Sequence, residues 1–115
     1  MASLVEILSS WTLRTNTESN LQADVEQVLI DEGIPFRREF AFNANDRIDF
    51  LANKSDGIEC KIGGACGEVL RQLSRYAYCE QCGSILLVTR KATHRKIDGV
   101  VINGKTINVL WINDL

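Results

Sequence analysis

Asp49, Glu59 and Lys61 are the residues of this 115-residue chain whose types and spacing can do chemistry together. They form D-x9-E-x-K across two β-forming segments, Arg47 to Asn53 and Gly57 to Ile62, which flank the turn-forming run Lys54-Ser55-Asp56-Gly57. Residues two apart on a strand share a face, so Glu59 and Lys61 project together while Cys60 points away, and an antiparallel return can bring Asp49 beside them. Two neighbouring carboxylates repel one another unless a cation sits between them. Hard oxygen ligands with open positions suit Mg²⁺ or Mn²⁺. A lysine next to such a metal can orient or deprotonate a water and stabilise the charge that develops on a phosphoryl centre. A surface ion pair on an edge hairpin would use the same E-x-K pattern, so the elements around it have to decide.

Those elements follow from periodicity. From Gly67 to Gly83 the apolar residues Val69, Leu70, Leu73, Tyr76 and Ala77 recur at helical spacing. That helix carries Gln72 and Tyr76 at i, i+4, with Arg71 and Arg75 one position earlier. The arginines are placed to contact phosphates, and the amide and phenol to bond a nucleotide or the lysine of the site. Ser84 to Arg90 (SILLVTR) reads as a buried central strand delivered by that helix. Upstream, Leu21, Val25, Val28 and Leu29 mark a helix that ends near Glu32, stopped by Gly33 and Pro35. Phe36 to Phe42 joins the two strands above in a three-stranded antiparallel meander. Leu4, Ile7, Leu8 and Trp11 predict a short amphipathic helix within Ala2 to Leu13, suited to packing or dimerisation. Asn103-Gly104 predicts a hairpin between Gly99 to Ile102 and Lys105 to Ile112. The order is α-α-βββ-α-β-ββ, an α/β class chain forming one domain over residues 1–115, with residues 1–16 as a helical extension.

Arg47-Ile48-Asp49-Phe50-Leu51, Gly57-Ile58-Glu59-Cys60-Lys61 and Arg71-Gln72-Leu73-Ser74-Arg75-Tyr76 together resemble the PD-(D/E)XK nuclease superfamily, in its branch with a Q-x3-Y motif on the helix after the E-x-K strand. The resemblance spans about Leu21 to Arg90; Ile48 stands where the family name has Pro. It implies an αβββαβ restriction-endonuclease-like core, a mixed sheet flanked by helices, here with an extra N-terminal helix and a C-terminal β-hairpin. It further implies that Asp49, Glu59 and the Cys60 carbonyl ligate a divalent metal, that Lys61 serves the attacking water, and that Gln72 and Tyr76 support the site. The family often adds a carboxylate from the helix before the sheet. Glu18, Gln22 and Glu26 share one helical face, and Glu18 in Glu18-x-x-Leu21-Gln22 looks like the usual position.

Composition bounds the partners. With 45% hydrophobic and 24% charged residues and one Pro, the chain can bury a core. No apolar run approaches the ~18 residues of a membrane span, and Met1 to Leu13 has no basic n-region, so a cytoplasmic protein is expected. The formal net charge of −2 hides an asymmetry: Lys61 to Lys96 holds seven basic against two acidic residues. Such a flank suits DNA phosphates, with Arg71, Arg75, Lys91 and Arg95 as contacts. His94 falls in a basic segment, Arg90 to Lys96, read as a solvated loop or a phosphate-contacting rim. Of the four cysteines, Cys60 is expected to face the core and Cys79 and Cys82 to share the last helical turn, as buried thiols rather than metal ligands. The expected function is a Mg²⁺- or Mn²⁺-dependent DNA nuclease, selective for DNA structure rather than sequence and acting as a homodimer or as part of a larger nuclease assembly. The alternatives are a non-catalytic nucleic-acid-binding or assembly module and a regulatory domain that binds a metal through its four cysteines.

Overall fold

Helix α2 (Glu18–Asp31) shows how local sequence sets the frame. Thr17 accepts the Asn20 amide as its N-cap, and the Leu21, Val25, Val28 and Leu29 stripe is buried. Past the Glu32 cap, Gly33 adopts φ +68°, and Gly33 N and Ile34 N donate to the carbonyls of Ile30 and Leu29. This is a Schellman ending, for which glycine is the natural residue. The computed structural model describes residues 2–113. Before α2, helix α1 (Leu4–Ser9) is shorter than the Ala2 to Leu13 expectation and leaves Trp11 outside it. Leu8 and Leu13 are nevertheless buried in the same core as α2, and Arg14 pairs with Asp24 of α2 at 2.9 Å. Residues 2–16 are thus packed into the domain.

Six strands follow: β1 (Phe36–Ala41), β2 (Arg47–Ala52), β3 (Asp56–Lys61), β4 (Ser84–Thr89), β5 (Val101–Ile102) and β6 (Lys105–Trp111). They form one mixed sheet in the order β1-β2-β3-β4-β6-β5. β1, β2 and β3 are the antiparallel meander; helix α3 (Cys66–Ala77) carries the chain over so that β4 runs parallel to β3. The hairpin around Asn103-Gly104 forms, and its second strand enters the sheet parallel to β4. On one face α1 and α2 cover Phe50, Ile58, Cys60, Leu86 and Val88; on the other α3 covers Ile48, Ile85, Leu87 and Ile107. β4 is therefore buried on both faces, which is why Ile85-Leu86-Leu87-Val88 is continuously apolar.

Two expectations are corrected. Cys79 and Cys82 do not share a helical turn: α3 ends at Ala77, and both lie in the turns that lead to β4. His94 is not in a solvated loop. It is fully buried in a 3-10 helix, Ala92–Ile97, because its ring bridges Thr89 and the Gly64 carbonyl.

The sheet is irregular at one place. Ile48 packs in the α3 layer, whereas Phe50, two residues on, packs in the α2 layer; on β1 Phe40 and Phe36 divide in the same way. Strict alternation would put each pair on one face. The switch coincides with Glu39 at φ +47° and with the end of the β2–β3 ladder, whose outermost rung is Phe50↔Ile58. The next rung would be Asp49↔Glu59.

Below this point the two strands pack tightly on α3's side. A Cβ on Gly57 would lie 2.6 Å from Ile48 Cδ1, 3.1 Å from the Ser84 carbonyl and 3.2 Å from Cys82 Sγ. Gly57→Ala is expected to lower stability by about 1–3 kcal/mol, the usual range for overpacking a core. Urea denaturation checks this, and an unchanged midpoint would contradict it.

Candidate active site

Where the ladder stops, side chains take over the backbone bonds. Asp49 Oδ2 accepts the Cys60 amide at 2.8 Å, and Glu59 Oε1 accepts the Asp49 amide at 3.1 Å. Each carboxylate thus reaches across to the other's strand. Lys61 Nζ stands 3.5 Å from Glu59 Oε2. Cys60 points into the α2 core, as strand parity requires, and burial pushes its thiol well above the ordinary range.

The electrostatics follow from this crowding. Glu59 is only 3% exposed. Burial first, and the charge of Asp49 second, push its carboxyl up to about 8 against the opposing pull of Lys61. Asp49 is also raised, mainly by burial, with the Cys60 amide, Lys61 and Arg38 pulling the other way and Glu18 adding to the rise. Two carboxyl groups held side by side form a cluster whose negative charge Lys61 and Arg38 offset only in part.

α2 and α3 close the site from its two sides. Glu18 opens α2, and its charge acts on both Asp49 and Cys60. Its helix-face companions Gln22 and Glu26 are taken by Arg38, whose guanidinium donates to Gln22 Oε1 at 3.1 Å and stands 3.5 Å from Glu26 Oε1. The same guanidinium lies 4.6 Å over the Phe50 ring, and its Nε is buried without a hydrogen-bond partner among the described residues. Sequence reasoning missed Arg38, although Phe36-x-Arg38-x-Phe40 sets a cation in an apolar strand stripe. From α3, Gln72 Nε2 donates to the Tyr76 hydroxyl at 2.9 Å, and that hydroxyl donates to the Arg47 carbonyl at 2.6 Å. The pair bonds to β2 rather than to the lysine. It pins the strand that carries Asp49, and burial, with the nearby charge of Glu59, raises the phenol's pKa.

The basic residues divide. Arg71 is exposed on α3. Arg75 is held by Asp46 at 2.9 Å. Arg95 lies 4.2 Å over the Trp111 ring, and Trp111 Nε1 donates to the Arg90 carbonyl. Arg90 N in turn donates to the Lys61 carbonyl, so this rim adjoins the site at the C-terminal ends of β3, β4 and β6. Because the Gly64 carbonyl can only accept, His94 Nε2 carries a proton, and Nδ1 bonds the Thr89 hydroxyl at 2.7 Å. That histidine ties the turn after Lys61 to the segment bearing Lys91 and Arg95.

Among the described residues no three His, Cys, Asp or Glu side chains gather into a ready-made metal cluster. The four cysteines do not converge: Cys60 packs in the α2 layer, and Cys66, Cys79 and Cys82 in or against the α3 layer. The Asp49–Glu59 pair has the donor set of a hard-cation site, since Mg²⁺ is usually held by one or two carboxylates with waters and substrate oxygens. Comparisons with protein-family models, curated proteins and solved structures find no match to this chain.

Glu59 binds its proton more tightly in the folded than in the unfolded protein, so the stability tied to its neutral form is complete below pH 4.5 and is lost as pH rises toward about 8. Asp49 shifts in the same direction. Asp24 and Asp46, lowered chiefly by hydrogen bonds from Arg14 and Arg75, act only at the acidic end, below 3.8. In EDTA, the melting temperature is expected to fall between pH 4.5 and about 8. Glu59→Gln, which keeps an acceptor for the Asp49 amide, is expected to flatten that profile and melt higher at its alkaline end. A variant that loses stability as steeply as the wild type would contradict the assignment.

Proposed function

We propose that the chain is a divalent-metal-dependent DNA nuclease with a PD-(D/E)XK, restriction-endonuclease-like core. The observation that carries this reading is the broken rung: Asp49 and Glu59 exchange bonds across the strand gap, and Lys61 stands on Glu59. The order α2-β1-β2-β3-α3-β4 and the seating of Gln72 and Tyr76 against the Asp49 strand support it.

Asp49, Glu59 and the Cys60 carbonyl are the groups that would hold Mg²⁺ or Mn²⁺, with Glu18 of α2, whose charge acts on Asp49, as the further carboxylate. A bound divalent ion supplies Lewis acidity and makes a water acidic enough to act as a nucleophile near neutral pH. Lys61 orients that nucleophile and offsets charge that develops on the phosphate, a contribution realised in the transition state. Tyr76, through the Arg47 carbonyl, and Gln72, through Tyr76, hold Asp49 in register. Arg38 supplies the positive charge beside Asp49 that keeps the buried carboxylates tolerable. Arg71, Lys91 and Arg95 contact the DNA backbone. Arg75 does so only by leaving Asp46. Phosphate contacts of this kind carry no base sequence, so the favoured substrate is one defined by structure, such as a junction, flap or free end.

Labelled single strands, duplexes, flaps, four-way junctions and supercoiled plasmid incubated with Mg²⁺, Mn²⁺ or EDTA test the reading. Cleavage is expected with either metal and not with EDTA. Lys61→Ala and Asp49→Asn are each expected to lower it by about 10²–10³-fold, the cost of removing one stabilising group from a transition state. Lys61→Ala should bind DNA nearly as the wild type does. Cleavage that survives Asp49→Asn would refute the site, and tight DNA binding with no cleavage by the wild type would favour the non-catalytic module.

Tyr76→Phe is expected to cost about 1 kcal/mol of stability, the net worth of one hydrogen bond, together with a loss of cleavage as the Asp49 strand loosens. Arg71→Ala is expected to reduce the salt slope of DNA binding by about one unit. An unchanged slope would make Arg71 a solvated charge.

A further inference from the structure

A cavity of about 360 Å³ lies on β1 and β2, apart from the carboxylates, and none of the residues assigned to the active site lines it. It is of the size that holds small ligands, which begins near ~300 Å³. Pro35, Phe36, Phe40 and Leu51 are its apolar lining, and the polar residues on it are Arg37, Lys54 and Gln81. Phe40 and Leu51 are held in place: Phe40 meets Phe42 at 5.4 Å, and Leu51 is buried. Arg37 lies 5.8 Å from the Phe40 ring centroid. Among the described residues no acidic side chain lines the cavity, so Arg37 and Lys54 give it a positive rim.

Lys54 is placed there at a conformational cost. Ser55 N donates to the Ala52 carbonyl, and the two residues between, Asn53 and Lys54, have φ +50° and +75°. Such a hairpin turn prefers Asn-Gly. Asn53 meets that preference, while Lys54 occupies the position where glycine is least strained.

We infer that this cavity is a binding site for one unpaired nucleotide, its base against Phe40 and Leu51 and its phosphate between Arg37 and Lys54. Aromatic side chains accept any base face, Gln81 offers both a donor and an acceptor to a base edge, and the two cations match a phosphate. The choice of a nucleotide over other aromatic anions rests on the nuclease reading; the aromatic and cationic lining does not. On that reading the cavity receives a nucleotide displaced from a duplex, which gives preference for a flap or frayed end without sequence reading.

Amide chemical-shift titration of the full chain with dAMP in EDTA tests this separately from catalysis. Saturable shifts are expected at Phe36, Arg37, Phe40, Leu51, Lys54 and Gln81, with deoxyadenosine and deoxyribose 5-phosphate each binding at least tenfold more weakly. Lys54→Gly is expected to weaken dAMP at least fivefold while raising the melting temperature, so weaker binding in that variant is not unfolding. Titration with an oligonucleotide bearing an unpaired end distinguishes a strand terminus from a free nucleotide as the source; the strand is expected to bind more tightly. Absence of saturable shifts, shifts confined to Asp49–Lys61, or equal affinity for deoxyribose 5-phosphate would overturn the proposal. Binding here by a protein that cleaves no DNA would leave the cavity standing and remove the nuclease.

Discussion

Between Asp49 and Glu59 a backbone ladder gives way to side chains, and the rest of the site depends on that substitution. A continued rung would satisfy both strands through main-chain bonds and leave the two carboxylates on the sheet surface. Here the rung is absent, and each carboxylate accepts a backbone amide from the opposite strand. Those bonds orient the acids and draw them into a buried setting where their charges interact strongly. The break lies beside Glu39 of β1, whose positive φ accompanies the change of face between Phe36 and Phe40.

Holding the buried Glu59 carboxyl against the half-buried Asp49 costs free energy, and the fold offsets it with several modest contributions. Lys61 and Arg38 bring positive charge, the Asp49 and Cys60 amides bring hydrogen bonds, and Tyr76 clamps the strand from the α3 side. None of these neutralises the pair: burial first, and repulsion from Asp49 second, keep the Glu59 carboxyl raised. On the proposed function a divalent cation would offset that repulsion, and affinity for metal and instability without it would be one property seen from two directions.

The chemistry-bearing pattern was legible because it depends on short-range rules. Strand parity pairs Glu59 with Lys61 and turns Cys60 into the core, and i, i+4 spacing joins Gln72 to Tyr76; both arrangements are present. The αβββαβ order was legible from apolar periodicity and from Gly33, Pro35 and Asn103-Gly104. What escaped depends on tertiary context. Arg38 joins the site only because α2 brings Gln22 and Glu26 to it. His94 looked solvated among Arg90, Lys91, Arg95 and Lys96, yet long-range bonding to the Gly64 carbonyl buries it. Arg75, expected on DNA, meets Asp46 from a distant turn. Cys79 and Cys82 were assigned a helical turn because periodicity does not mark where α3 stops, and Tyr78 ends it without a glycine signal.

Calorimetric titration of Mn²⁺ into the metal-free chain, beside the Asp49→Asn/Glu59→Gln double variant, tests the central claim most directly. Both substitutions keep a hydrogen-bond acceptor and remove only charge, so the broken rung stays in place while its ability to hold a cation goes. The account predicts saturable Mn²⁺ binding by the wild type and its loss in the double variant with the fold intact. Equal binding by the two proteins, or none by the wild type, would contradict it.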